Sequence, residues 1–129
     1  MIYGIGTDIV AIGRMEAMLK RYGDRAVAKL LAATEREEFR AVRDGAAFLA
    51  RRFAAKEALG KALGLGLRDP ATLHSIAIAH DALGRPRFDL APALAGWLQA
   101  RQLTPQLSLS DDNGMAVAFV VIEQRASNG

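Results

Sequence analysis

The sequence predicts an α+β fold, with a mainly antiparallel sheet packed on a long central helix. Three stretches carry that reading. Phe48 to Gly66 (FLARRFAAKEALGKALGLG) is rich in alanine and leucine, holds no proline, and ends on the stop signal Gly64-Leu65-Gly66, so it reads as a helix. Ile2 to Ile12 (IYGIGTDIVAI) is apolar and β-branched, as in a strand buried on both faces. Near the C-terminus, two alternating segments flank Asn113-Gly114, a strong hairpin signal.

Taken in order, the remaining elements fit between these. Arg14 to about Leu31 is helical, with a break at Gly23-Asp24. Thr34 and Glu37 have capping-box spacing, Thr34 as N-cap and Glu37 at N3 of a short helix to about Val42. Asp44-Gly45 turns the chain into the central helix, and Arg68-Asp69-Pro70 is a loop. Ser75 to Asp81 alternates as a strand, Ala82 to Pro86 is a turn, and Arg87 to Asp89 is a short returning strand. Leu90 to Leu103 is a helix that tolerates Pro92 in its first turn, with Leu94, Trp97 and Leu98 facing the core. Gln106 to Ser110 and Met115 to Glu123 form the closing hairpin. No repeat or linker divides the chain, so residues 1–125 are read as a single domain and 126–129 as a frayed tail.

With 129 residues the chain can bury a real core. The absence of cysteine excludes a disulfide framework, a thiolate metal site and a cysteine nucleophile. Apolar runs are too short to span a membrane and no basic leader precedes Asp8, so the expectation is a cytoplasmic protein with no membrane partner. Net charge is +3, but its placement matters more. Arg14, Lys20, Arg21, Arg25 and Lys29 crowd one helical stretch, opposed only by Glu16 and Asp24. Such a patch suits an anionic partner, or is simply a solvated helix face.

Two carboxylates stand out of place. Asp8 shares its strand face with Gly4, Gly6 and Val10, and the glycines leave room for a ligand or another backbone. Glu57 sits on the border of a helix that has almost no polar face. The plainest reading of Glu57 and Lys61 is an i, i+4 pair worth a few tenths of a kcal/mol, about 0.3. Two carboxylates in apolar surroundings instead suit a hard cation between them, such as magnesium. Arg52, Lys56 and Lys61 would then meet phosphate oxygens, and Gly64 and Gly66 would let backbone N–H groups approach a phosphate. His74 and His80 lack a spaced partner and are read as strand-edge or turn residues. Gly4-Ile5-Gly6 opens no helix, which excludes a dinucleotide fingerprint.

Several segments together resemble the bacterial holo-acyl-carrier-protein synthases, small phosphopantetheinyl transferases. They are Gly4-Ile5-Gly6-Thr7-Asp8-Ile9-Val10, Arg51 to Ala58, Lys61 to Gly64 with Gly66, Leu83-Gly84-Arg85-Pro86, and Ser108-Leu109-Ser110-Asp111. The resemblance implies transfer of 4′-phosphopantetheine from coenzyme A to a serine of apo-acyl carrier protein, in support of fatty acid synthesis. It implies magnesium held by Asp8 and Glu57, and a homotrimer with coenzyme A in clefts between subunits. Pro86 would line the coenzyme A site, Lys61 would stabilise the leaving phosphate, and Arg14, Arg21 and Arg25 would dock the acidic carrier. Glu57 or a magnesium-bound water would serve as base. Arg52 and Lys56 would meet phosphates at a subunit interface. Two departures stand out: Asp111 replaces a histidine found in many relatives, and Gly60 stands mid-helix where alanine is common.

Two rival readings remain. A non-enzymatic basic module binding RNA or an acidic protein would use the Arg14–Lys29 patch and need neither Asp8 nor Glu57. Tyr3, Phe88 and Phe119 form no obvious base-stacking set, so nucleic acid is not expected as a partner. A different magnesium enzyme on the same scaffold would keep both carboxylates, and only its substrate would differ.

Overall fold

In the computed structural model, described over residues 1–126, every strand pairing is antiparallel. The chain runs β1 (Ile2–Ala11), α1 (Ile12–Tyr22), α2 (Asp24–Leu30), α3 (Ala33–Phe39), α4 (Gly45–Leu63), β2 (Ile76–His80), β3 (Pro86–Leu90), α5 (Pro92–Ala100), β4 (Leu103–Asp112), β5 (Met115–Gln124). The α+β class is as the sequence implies. The strands divide into two sheets, β1-β5-β4 and the pair β2-β3. Of the expected tail, residues 127–129 lie outside the described part.

Helix α4 is the axis of the molecule. It starts earlier than its apolar residues suggest, because the Asp44 carboxylate accepts the Ala47 N–H at 3.0 Å and caps it. Leu49, Ala50, Ala54, Ala58 and Leu59 are fully buried. Most of the helix is covered, by the sheet on one side and by α1, α2 and β2 on the other.

The N-terminal strand reaches α4 backbone to backbone. A Cβ built on Gly4 would lie 2.0 Å from the Ala62 carbonyl oxygen, and one on Gly6 would lie 2.0 Å from that of Ala58. No side chain fits there, so these glycines make room for a helix. The outward face of β1 corrects the expectation of a strand buried on both sides. Tyr3, Ile5 and Ile9 are exposed, together with Phe119 on the neighbouring β5. Those β-branched residues advertise an apolar surface that a single chain leaves uncovered.

Two boundaries hold and two move, each for a local reason. Gly23, at φ 54°, separates α1 from α2 as expected. Helix α3 is capped through Ala32, whose N–H donates to Glu35 at 3.0 Å, so neither Thr34 nor Glu37 has its expected capping role. Leu90 pairs with Ile76 and ends β3, which delays α5 to Pro92. Asn113 (φ 51°) and Gly114 (φ 78°) both take left-handed backbone, as a tight hairpin requires.

Gly60 finds its reason at the end of α4. Its carbonyl accepts from the N–H groups of Leu65 (3.1 Å) and Gly66 (3.0 Å), and a Cβ on Gly60 would lie 2.7 Å from the Gly66 oxygen. The chain folds back onto its own helix at that point, through Gly64 (φ 78°) and Gly66 (φ 68°).

Candidate active site

Because the glycines dock β1 on α4, the polar residues of the two elements meet. Gly4 lies at Ala62 and Gly6 at Ala58, so the strand runs antiparallel to the helix. Two strand residues advance about 6.8 Å and four helix residues about 6 Å, so Asp8 falls one step further, beside the turn that carries Glu57. Asp8 is largely covered, its side chain 17% exposed.

Lys61 comes from the helix side. Its ammonium donates to the Asp8 carboxylate at 3.1 Å and to the Thr7 carbonyl at 3.0 Å. The simple Glu57–Lys61 helix pair is therefore not what forms: Lys61 reaches across to the strand. Among the described residues no hydrogen bond or ion pair engages the half-buried Glu57 carboxylate. The centre thus holds one partnered and one unpartnered carboxylate, plus a half-exposed ammonium. No third histidine, cysteine or acid completes a metal cage among the described residues.

Arg52 and Lys56 go elsewhere, contrary to the expected phosphate contacts. Lys56 is fully buried, and its ammonium donates to Glu35 at 2.6 Å, the Leu30 carbonyl at 2.7 Å and the Leu73 carbonyl at 2.8 Å. All three ammonium protons are used. Arg52 is 4% exposed, lies 3.5 Å from Glu35 and 3.4 Å from Glu38, donates to the Ile78 carbonyl, and stacks on Phe48 with 4.4 Å to the ring centre. Neither side chain can leave for a phosphate without stranding the buried Glu35. Burial pushes the Lys56 ammonium below its usual range, against the pull of Glu35. Glu35 is the residue the sequence reading missed. Its signal was indirect: two cations on an apolar helix require a buried acid somewhere.

Gly64 and Gly66 are likewise needed by the fold. Their N–H groups already donate to the Lys61 and Gly60 carbonyls, so they are not free to cradle a phosphate. Nothing stands within 4 Å of where their side chains would be, so the surface beside the site stays open.

The chain carries two basic grooves. The first, about 510 Å³, lies between α1, α2 and α4. Arg14, Arg25 and Lys29 line it over an apolar floor that includes Met18, Leu30, Phe53 and Leu73. Arg14 sits 5.4 Å from the Phe53 ring centre, and Tyr22 lies between Arg21 at 5.3 Å and Arg25 at 5.9 Å. Phe53 and Glu57 are one turn apart on the same side of α4, so the groove leads to the carboxylate. The second groove, also about 510 Å³, is lined by Arg85, Pro86, Arg87, Ser108 and Leu109 at the free edge of β4. Asp111 lies 3.4 Å from Arg51 as a surface pair of little energetic weight. His74 meets the Ala28 carbonyl at 2.7 Å, a local contact rather than a ligand set.

This fold and this site have clear counterparts. The family model of the 4′-phosphopantetheinyl transferase superfamily matches residues 4–120. A holo-acyl-carrier-protein synthase from Azoarcus sp. (strain BH72) is 55% identical over 125 residues, 97% of this chain and 100% of the relative. The crystal structure of such a synthase from Neisseria meningitidis superposes with a TM-score of 0.93 at 43% identity, covering 96% of this chain and 100% of that one. One from Bacillus anthracis, in complex with CoA (3′,5′-ADP), gives a TM-score of 0.82 at 32% identity, covering 97% and 99%. The chain belongs to the 4′-phosphopantetheinyl transferase superfamily and, within it, to the holo-acyl-carrier-protein synthases.

Proposed function

We propose that this chain moves 4′-phosphopantetheine from coenzyme A to a serine hydroxyl of an apo-acyl carrier protein, in the cytoplasm and in support of fatty acid synthesis. The observation that carries the reading is the Asp8–Lys61 pair, made across β1 and α4, one helix turn from a Glu57 carboxylate that has no partner among the described residues. In the reaction the serine oxygen bonds to the β-phosphorus of the pyrophosphate. The bond from that phosphorus to the bridging oxygen breaks, and adenosine 3′,5′-bisphosphate leaves with the electron pair. Glu57 accepts the serine proton, because no side chain competes for its carboxylate. Lys61 is half exposed and can meet the charge that grows on the leaving phosphate.

Asp8 and Glu57 would hold a magnesium ion. A pair of carboxylates without a third protein ligand suits this cation, which keeps water and takes phosphate oxygens to complete six positions. Bound there, magnesium supplies positive charge to the pyrophosphate. Arg14 and Arg25 line the groove and Arg21 packs on Tyr22 at its rim; the three would dock the acidic carrier by charge, while Phe53 and Leu73 offer it an apolar floor.

We also infer that three copies assemble through the outer sheet face. Ile5 is 62%, Ile9 59% and Phe119 46% exposed, an apolar patch of the kind that marks an interface. Assembly also bears on coenzyme A. Asp8 pairs with Ala118 and Ala118 with Leu109, so the row that starts at the site ends at the Pro86 groove on the opposite edge of the sheet, about 10 Å away. A neighbour's β4 edge beside this chain's β1 edge would let one coenzyme A span Lys61 and Pro86 of different subunits.

The test is intact mass of an apo-acyl carrier protein incubated with the chain, coenzyme A and magnesium. A gain of one phosphopantetheine, absent without magnesium or without coenzyme A, is the expected result. No gain with several carriers would overturn the reading and favour a binding module, recognised by salt-sensitive binding to polyanions.

A further inference from the structure

We propose that Lys56 is a positioning residue that sets the carrier groove relative to Glu57, an inference that rests on the reading of that groove as the carrier's dock. Lys56 touches neither grooves nor surface; it is fully buried. What it holds is telling. Two of its three acceptors, the carbonyls of Leu30 at 2.7 Å and Leu73 at 2.8 Å, belong to residues that line the groove. Leu30 is the last residue of α2, where a helix leaves carbonyls without partners. Leu73 lies in the irregular segment before β2. Neither wall has a regular ladder to fix it at that point.

An ammonium has three protons in tetrahedral directions, and here each has one acceptor. The third, Glu35, accepts at 2.6 Å and holds the Lys56 ammonium in place. Glu35 is itself held by the N–H groups of Ala32 at 3.0 Å and Ile78 at 3.1 Å, so the acid cannot follow the lysine if it shifts. The result is a tripod with its apex on α4, one residue before Glu57. The two walls against which a carrier would rest are thereby located from the turn that bears the reacting carboxylate. A carrier docked on those walls brings its serine to Glu57; displaced walls bring it elsewhere. Misplacement of about 1 Å in a reacting group costs on the order of 100-fold in rate.

The test compares the wild-type chain with Lys56→Met and with the double substitution Glu35→Gln/Lys56→Met, which removes the Lys56–Glu35 charge pair together, leaves Arg52 its Glu38 partner, and so limits the folding loss. KM is measured separately for the carrier and for coenzyme A, beside thermal stability. The expected result is a kcat/KM for the carrier lowered at least about tenfold in both variants, with the coenzyme A KM within a factor of about two. A folded double variant with an unchanged kcat/KM for the carrier would overturn the proposal, and so would a coenzyme A KM that rises as much as kcat/KM for the carrier falls. A wild-type chain that transfers nothing would instead overturn the functional reading, so the two failures are distinct. If neither variant folds, hydrogen exchange on the wild-type chain decides: adding carrier should slow exchange at Leu30–Leu31 and at Leu73–His74 together. Protection of one wall alone, or of neither, would overturn the proposal.

Discussion

Lys56 and Glu57 are adjacent on α4, yet the helix step of about 100° sends them to different environments. Lys56 turns into the protein and finds Glu35; Glu57 turns toward the strand and finds no partner. The sequence showed that both were out of place on an apolar helix, and it pointed to Asp8 as well. It did not show which cation was internal, because Glu35 lies far along the chain and its burial depends on how α3 packs. At this scale two outcomes are expected. Gly6→Ala forces a methyl against the Ala58 carbonyl and should cost about 1–3 kcal/mol in a thermal melt; an unchanged melting temperature would contradict the close docking of β1. The His80 imidazole should titrate below its ordinary 6.5, because burial and the nearby Arg52 disfavour its charged form. It then binds fewer protons folded than unfolded just below pH 6.5, so its contribution to stability falls as the pH drops through that interval. An NMR titration of the ring checks the direction.

The elements were legible where local chemistry decides them. The central helix, the break at Gly23 and the Asn113-Gly114 hairpin all follow from propensity and backbone freedom. Leu90 was misplaced because its strand role depends on Ile76, a partner that composition does not reveal. The exposed face of β1 was misread for a related reason. An apolar, β-branched strand reads the same in sequence whether the chain covers its outer face or leaves it open. Gly60 resisted explanation until the fold showed the chain returning over it. An element-scale expectation follows at the hairpin: Gly114→Ala places a side chain at φ 78° and should cost about 1–2 kcal/mol, read from denaturant unfolding.

For the whole molecule, the sheet has two edges and two faces with different uses. One face packs on α4, while the other exposes Ile5, Ile9 and Phe119. Asp8 lies on one edge strand and the Pro86 groove on the other. A single chain therefore separates the parts that one long substrate would need together. Substituting Ile5→Asp together with Phe119→Asp should shift sedimentation from trimer to monomer at micromolar concentration and lower transfer, while leaving the fold intact. A wild-type chain that sediments only as a monomer would remove this part of the account.

The central claim is that Asp8 and Glu57 act as one site. It is tested most directly by titrating manganese, as a paramagnetic substitute for magnesium, into the wild-type chain, Asp8→Asn and Glu57→Gln with coenzyme A present, and following transfer in the same samples. The account predicts that each substitution weakens manganese binding and lowers transfer at least about 100-fold, with the double variant little worse than either single one. Tight manganese binding and near-normal transfer in either single variant would contradict it.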